Sequence, residues 1–326
     1  MTMTPRSVIR GVGAYLPARV MDNAELAGRV DTSDAWIRER TGIGQRHLAA
    51  EGELTSDLAT SAGERALQRA GIRARDLDLI LVATSTPDHT FPATATAVQR
   101  KLDAGRGIAF DLQAVCAGFV YALATADNFI RAGQAQTALV IGAETFSRLL
   151  DWEDRGTCVL FGDGAGAVVL GRELQPGKRT DRGIHGTLLG ADGGHYRDLY
   201  VDGGPSSTGT TGHLRMNGRE VFRCAVAELS NAALTVLDQA GFAPGDVDWL
   251  VPHQANRRII DAVGKRLQLP ADKVIVTVEH HANTSAASIP LALNEGVEDG
   301  RLRQGDLVVA NAMGGGFTWG AAAIRW

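Results

Sequence analysis

The chain has 326 residues, against roughly 100–200 for a usual domain, which allows two domains or one large duplicated unit. Apolar residues make up 44% and charged residues 21%, and 37 acidic against 33 basic side chains leave a net charge of −4. These values argue against disorder, a fibre or a small stapled scaffold, and no bulk charge recommends nucleic acid as a partner.

Residues 1–17 carry one early Arg but no long apolar run and no small-residue cleavage pattern, so no signal peptide is expected. No stretch reaches about eighteen consecutive apolar residues, so no transmembrane helix and no membrane partner are expected. Leu79-Ile-Leu-Val-Ala83 reads as a buried strand, residues 107–112 as another, and residues 117–131 as a mostly apolar helix, which is α/β patterning. Phe161-Gly-Asp-Gly-Ala-Gly166 is followed by Ala-Val-Val-Leu170, a strand where a dinucleotide loop needs a helix, so a tight strand-to-strand turn is expected. Residues 248–251 read as a strand, and an amphipathic helix follows Asn256. Met313-Gly-Gly-Gly-Phe-Thr-Trp-Gly320 is flanked by strand patterns, and its glycines allow close backbone approach and N–H donors for an oxyanion hole.

Three pairs of segments recur in order at nearly one offset. Leu67-Gln-Arg-Ala-Gly71 and Leu237-Asp-Gln-Ala-Gly241 lie 170 residues apart. Cys116 and Asn283, each ahead of a small-residue run, lie 167 apart, and Gly142 and Asn311 lie 169 apart. An internal duplication follows, with halves 1–174 and 175–326 divided at the Pro/Gly punctuator Gln175-Pro-Gly-Lys. Corresponding loops of two such halves converge, which brings Cys116 and Asn283 toward one site.

Cys116 lies between a strand and the start of an apolar helix, where the dipole and free N–H groups stabilise a thiolate. Cys158 and Cys224 read as small buried hydrophobes, and three widely spaced cysteines fit a reducing cytosol. His253, in Val251-Pro-His-Gln-Ala-Asn256, follows a strand, at the end where α/β sites gather. His47, His89, His195 and His213 stay unassigned, and the adjacent pair His280-His281 lacks zinc-site spacing, so no metal is expected.

Together, Asp31-Thr-Ser-Asp-Ala-Trp36-Ile-Arg-Glu-Arg40-Thr-Gly-Ile43, Cys116-Ala-Gly-Phe, Asp154-Arg-Gly-Thr157, Phe161-Gly-Asp-Gly-Ala-Gly166, Pro252-His-Gln-Ala-Asn256, Asn283-Thr-Ser-Ala-Ala-Ser288 and Gly314-Gly-Gly-Phe-Thr-Trp-Gly320 resemble β-ketoacyl-acyl carrier protein synthase III almost from end to end. The resemblance implies a thiolase-like α/β fold, a duplicated five-layer αβαβα arrangement, and a cytoplasmic homodimer. It implies that Cys116 takes an acyl group from an acyl-CoA primer, with acetyl-CoA favoured. Malonyl-acyl carrier protein then loses carbon dioxide and condenses with that group to give a 3-ketoacyl product. His253 and Asn283 would stabilise the charge built by decarboxylation, and the N–H groups of Cys116 and Gly315 would form the oxyanion hole. CoA contacts carried over are Trp36 and Arg155 flanking the adenine, with Arg40, Gly218, Phe222 and Asn256 along the tunnel. Carrier-protein contacts are Gln254, Ala255, Asn256, Arg257, Arg258 and Lys265; the stripe Arg258, Ala262, Lys265 and Arg266 on one helix face suits an acidic partner. Phe91 matches a position that reaches across the dimer to shape the acyl pocket. No cofactor is implied, acyl-CoA being a substrate.

A thiolase would have a second cysteine before the C-terminal glycines, where this chain has Asn311-Ala-Met313, and an elongating synthase would have a second histidine at Asn283. The Arg-Gly-Thr and Pro-His-Gln-Ala-Asn contexts favour the priming synthase over a chalcone-synthase-like enzyme. An acyltransferase or starter-unit synthase of polyketide or specialised metabolism is the alternative enzyme. A carrier-protein-binding scaffold would leave Cys116, His253 and Asn283 without use.

Overall fold

Leu79–Ala83 has no polar side chain, and a strand apolar on both faces is stable only where both faces are covered. In the computed structural model, which describes residues 3–326, this strand lies between Thr137–Glu144 and Ile108–Leu112, parallel to both. Gly164–Gln175 and Thr4–Tyr15 extend the sheet antiparallel beyond Thr137–Glu144. A second sheet repeats this order: Trp249–Pro252 is parallel to Leu307–Gly314, and Thr318–Arg325 and Gly183–Ala191 follow antiparallel. The counterpart of Ile108–Leu112 shrinks to a single parallel bridge between Leu250 and Val274. Residues 176–182 link the two sheets.

The helices Gly118–Arg131 and Ser288–Glu298 run between the sheets and pack on strands of both. Such a position demands apolar side chains all round. Phe119, Val120, Leu123 and Ile130 of the first helix, and Ile289, Leu291 and Leu293 of the second, are at most 1% exposed. Truncating Leu123 to Ala would leave a void between the sheets and cost about 2–5 kcal/mol. Thr55–Ala70 and Thr94–Lys101 cover the outer face of the first sheet; Gly218–Gln239, with Arg257–Arg266 beside it, covers the second. The layers therefore run αβαβα, the thiolase-like arrangement expected. Among the described residues, no helix is long and apolar enough to cross a membrane.

The segment 161–166 is not a turn between strands. The short helix Arg155–Cys158 precedes it, Phe161 bridges to Asn283, and the strand begins at Gly164. Its glycines serve packing: a β carbon on Gly166 would come within 2.7 Å of the Leu291 nitrogen, so only glycine lets the central helix approach.

Candidate active site

Cys116 sits in the 3-10 turn Val115–Ala117, directly ahead of the central helix Gly118–Arg131. Val115 holds φ at 49°, a strained conformation for a β-branched residue that costs on the order of 1–3 kcal/mol and persists only when packing enforces it. Gly314 is part of that packing. A β carbon there would lie 2.7 Å from both the Ala114 oxygen and the Cys116 nitrogen. The glycine run thus presses flat against the nucleophile turn, with buried Gly315 next along it.

His253 follows Trp249–Pro252, its N–H donating to the Asn311 oxygen at 2.8 Å and its Nδ1 lying 2.6 Å from Ser288 Oγ. Asn283 is anchored by its backbone to Leu160 and Gly162, each at 3.0 Å, and its Oδ1 accepts the Ser285 N–H at 2.9 Å. That bond occupies the amide oxygen and leaves the NH2 group as the free end. Cys116, His253 and Asn283, from three separate elements, line one largely apolar cavity of about 390 Å³.

Burial dominates the electrostatics. It pushes the Cys116 thiol up to about 12 and the His253 imidazole down to about 3. The helix N-terminus predicted to favour a thiolate is present, but burial outweighs it, and the resting pair is thiol and neutral imidazole. A neutral imidazole is a donor through one nitrogen only, and Ser288 engages the other.

Arg40, Gly218, Phe222 and Asn256 line the same cavity, in agreement with a tunnel leading to Cys116. Trp36 and Arg40 share one face of the helix Asp34–Thr41 by their spacing of four. Trp36 and Arg155 do not flank an open slot. The Arg155 guanidinium lies over the Trp36 ring at 5.0 Å, and its NH1 donates to the Asp31 oxygen at 2.8 Å. A flat ring between them needs two contacts of about 3.5 Å each, so Arg155 must swing out to admit one.

The carrier-protein set divides. Gln254 is fully buried and cannot meet a partner: its NH2 donates to the Pro252 and Ile275 oxygens at 2.8 and 3.1 Å, and its Oε1 accepts the Thr277 N–H at 2.7 Å. It braces the loop that carries His253. Asn256 caps the helix Arg257–Arg266, its Oδ1 accepting the Ile259 N–H at 3.0 Å, and Ala255 lines the cavity. Arg258 also lines the cavity, stacked over Phe222 at 5.4 Å. Arg257 and Lys265 stay exposed, the former paired with Asp261 at 2.7 Å. Phe91 is 82% exposed and stands outside its own chain's cavity.

Cys158 is buried as expected, whereas buried Cys224 has His195 at 3.9 Å, and His195 in turn pairs with Asp198 at 2.7 Å. His280 and His281 both turn toward Glu295, at 2.7 and 3.5 Å, and Arg301 holds its other oxygen at 3.3 Å. Sequence reasoning missed Ser285, Ser288 and Glu144. The two serines lie inside the quoted Asn283-Thr-Ser-Ala-Ala-Ser288 motif; Glu144, at the end of a strand 28 residues after Cys116, gives no signal in the sequence.

Residues 110–193 match the family described as 3-oxoacyl-[acyl-carrier-protein (ACP)] synthase III, and residues 237–326 match its C-terminal model. The chain is 64% identical over 324 residues to the β-ketoacyl-[acyl-carrier-protein] synthase III of Rhodospirillum centenum, across 99% of this chain and 100% of the relative. It is similar to the solved 3-oxoacyl-[acyl-carrier-protein] synthase III of Aquifex aeolicus VF5 at 46% identity and a TM-score of 0.92, covering 98% of this chain and 100% of that one. The priming β-ketosynthase of the R1128 polyketide biosynthetic pathway is similar at 35% identity and a TM-score of 0.92, covering 99% and 97% of the two chains. Identity of that extent over the whole of both chains shows that this protein belongs to the 3-oxoacyl-[acyl-carrier-protein] synthase III family of acyltransferase-type condensing enzymes.

Proposed function

We propose that the enzyme primes type II fatty acid synthesis by condensing an acyl-CoA, acetyl-CoA first, with malonyl-acyl carrier protein. The observation that supports this most is the convergence of Cys116, His253 and Asn283 on one apolar cavity. Cys116 Sγ attacks the primer's thioester carbon, forming the acyl-enzyme and releasing CoA. The N–H groups of Cys116 and Gly315 meet the oxyanion of that step.

Malonyl-acyl carrier protein then enters and loses carbon dioxide, and negative charge grows on its thioester oxygen. The Nε2–H of neutral His253 and the Asn283 NH2 stabilise that charge without delivering a proton to the carbanion. The carbanion attacks the acyl carbon, a carbon–carbon bond forms, and the Cys116–acyl bond breaks. Trp36, Arg40, Arg155, Gly218, Phe222 and Asn256 hold CoA; Ala255, Asn256, Arg257, Arg258 and Lys265 meet the carrier protein. Exposed Phe91 supports a homodimer in which a second copy covers it. The enzyme works in the cytoplasm and needs no metal or redox cofactor.

Release of labelled carbon dioxide from carboxyl-labelled malonyl-acyl carrier protein tests the division of labour. Cys116→Gln should still decarboxylate but make no 3-ketoacyl product, while His253→Ala should acylate Cys116 and fail to decarboxylate. Condensation that survives in Cys116→Gln would overturn the assignment.

A further inference from the structure

Glu144 is fully buried, and every hydrogen-bond partner it has is neutral. Its carboxylate accepts from the Ser85 N–H at 3.1 Å, from Thr86 Oγ1 at 2.8 Å, from Thr84 Oγ1 at 3.4 Å and from Ser285 Oγ at 3.1 Å. A carboxylate held only by neutral donors, with no cation, is an expensive arrangement to keep in a core. The same Ser285 hydroxyl hydrogen-bonds the Cys116 thiol. A hydroxyl has one hydrogen, and here Ser285 gives it to Glu144. It therefore accepts from the thiol, and the direction of the chain is fixed: Cys116 S–H to Ser285 Oγ, Ser285 O–H to Glu144 Oε1.

We propose that Glu144 is the proton acceptor of the nucleophile, taking the thiol proton through Ser285 and returning it when the sulfur is released. Resting on the acylation of Cys116 proposed above, the steps balance. As Sγ attacks the thioester, its S–H bond breaks, the proton passes to Ser285 Oγ, and Ser285 passes its own to Glu144. The bond from the acyl carbon to CoA breaks, and the CoA sulfur takes a proton from water. In the second half-reaction the acyl–Sγ bond breaks, and Sγ recovers a proton from Glu144 by the reverse relay. One proton from water enters per turnover, matching the malonyl carboxylate lost as carbon dioxide.

Two acids joined by one hydroxyl share a proton, so they titrate as a pair. Burial raises Glu144 to about 7, while an ionised Glu144 and burial both hold the thiol up. Thiol beside carboxylate and thiolate beside carboxylic acid carry the same charge, so interconverting them imports none into the core. His253, the other titratable group of the cavity, stays neutral across this range, and Arg40, Arg219 and Arg258 along its wall stay charged. The relay leaves His253 free to keep its hydrogen on Nε2 for decarboxylation.

The test is the rate of Cys116 alkylation by iodoacetamide between about pH 5.5 and 9.5, where a free thiol gains about tenfold per pH unit below its pKa. The modified residue is confirmed by mass spectrometry. In the wild type the rate should rise to an inflection near 7 and then level, because the shared proton makes the reactive form pH-independent above that point. In Glu144→Gln and Ser285→Ala it should keep rising through pH 9, at least about tenfold below the wild type at pH 7; Glu144→Asp should restore the levelling. An inflection that persists in Glu144→Gln, or a wild type that rises without one, overturns the proposal, and the wild-type profile decides alone if the variants do not fold. Acyl transfer from acyl-CoA, read separately, distinguishes the two levels: no acyl mass on Cys116 removes the proposed function itself, whereas acylation without the inflection removes only the role of Glu144.

Discussion

Ser288 Oγ lies 2.6 Å from Nδ1 of His253 while accepting the Gln254 N–H at 3.2 Å. With its oxygen taken by Gln254, the hydroxyl hydrogen points to Nδ1, which places the ring's own hydrogen on Nε2, facing the cavity. Ser288 opens the helix Ser288–Glu298, whose remaining turns are locked between the sheets, so the core of the fold sets the tautomer.

Ser288→Ala should therefore separate the half-reactions. Removing one hydrogen bond of about 1 kcal/mol and freeing the tautomer should slow condensation about tenfold or more. Acylation of Cys116 should stay within about twofold, since the thiol does not use Ser288. Stopped-flow acylation beside steady-state condensation reads both, and equal losses would contradict the role.

The contact of Arg155 with Trp36 makes the CoA mouth a closed pair that opens on binding. Arg155→Ala should raise KM for acyl-CoA by about two- to fivefold, the range of an exposed cation–π contact. With a primer truncated to its acyl-pantetheine part, the variant and the wild type should be equal. A matching defect with the truncated primer would contradict adenine recognition.

Lys265 is exposed and outside the cavity, while Arg258 stacks on Phe222 in the tunnel wall. The basic stripe alone suggests that Arg258→Glu impairs carrier-protein use and spares acyl-CoA; the structure changes that expectation, and Arg258→Glu should harm both. Lys265→Glu should raise KM for malonyl-acyl carrier protein several-fold, more at low salt, and leave the acyl-CoA half-reaction unchanged. Initial rates at two ionic strengths check it.

Glu144 also leaves a mark on stability. Its folded-state value is raised from 4.5 to about 7, so its contribution is present below the unfolded value and fades as pH rises through 7. Wild type should thus lose on the order of 1–3 kcal/mol relative to Glu144→Gln between about pH 5 and 8. Guanidinium unfolding at both pH values cancels any constant cost of the amide. A difference independent of pH would contradict the raised value.

Much of the fold was legible because the duplication shows in residues: the Gln-Ala-Gly-like turns at Gly71 and Gly241 and the apolar runs fix which strands correspond. Cys116, His253 and Asn283 were legible because each follows a strand and begins a motif. Gln254 was misassigned because one sequence does not reveal that its amide is consumed by backbone groups 21 to 24 residues away. The segment 161–166 was misread because its glycines answer to Pro290 and Leu291, a contact across the core rather than a local turn. Glu144 and Ser288 were invisible for the same reason: each matters through a side chain from another element, a relation no local pattern carries.

The most direct measurement is mass spectrometry of the intact protein and its Cys116 peptide after exposure to acetyl-CoA and a panel of longer and branched acyl-CoAs, followed by malonyl-acyl carrier protein. An acyl mass on Cys116 that disappears with formation of a 3-ketoacyl-acyl carrier protein is the predicted result, and it names the primer. Acylation that the malonyl carrier does not discharge, with transfer to some other acceptor, would contradict the condensing function while leaving the nucleophile in place.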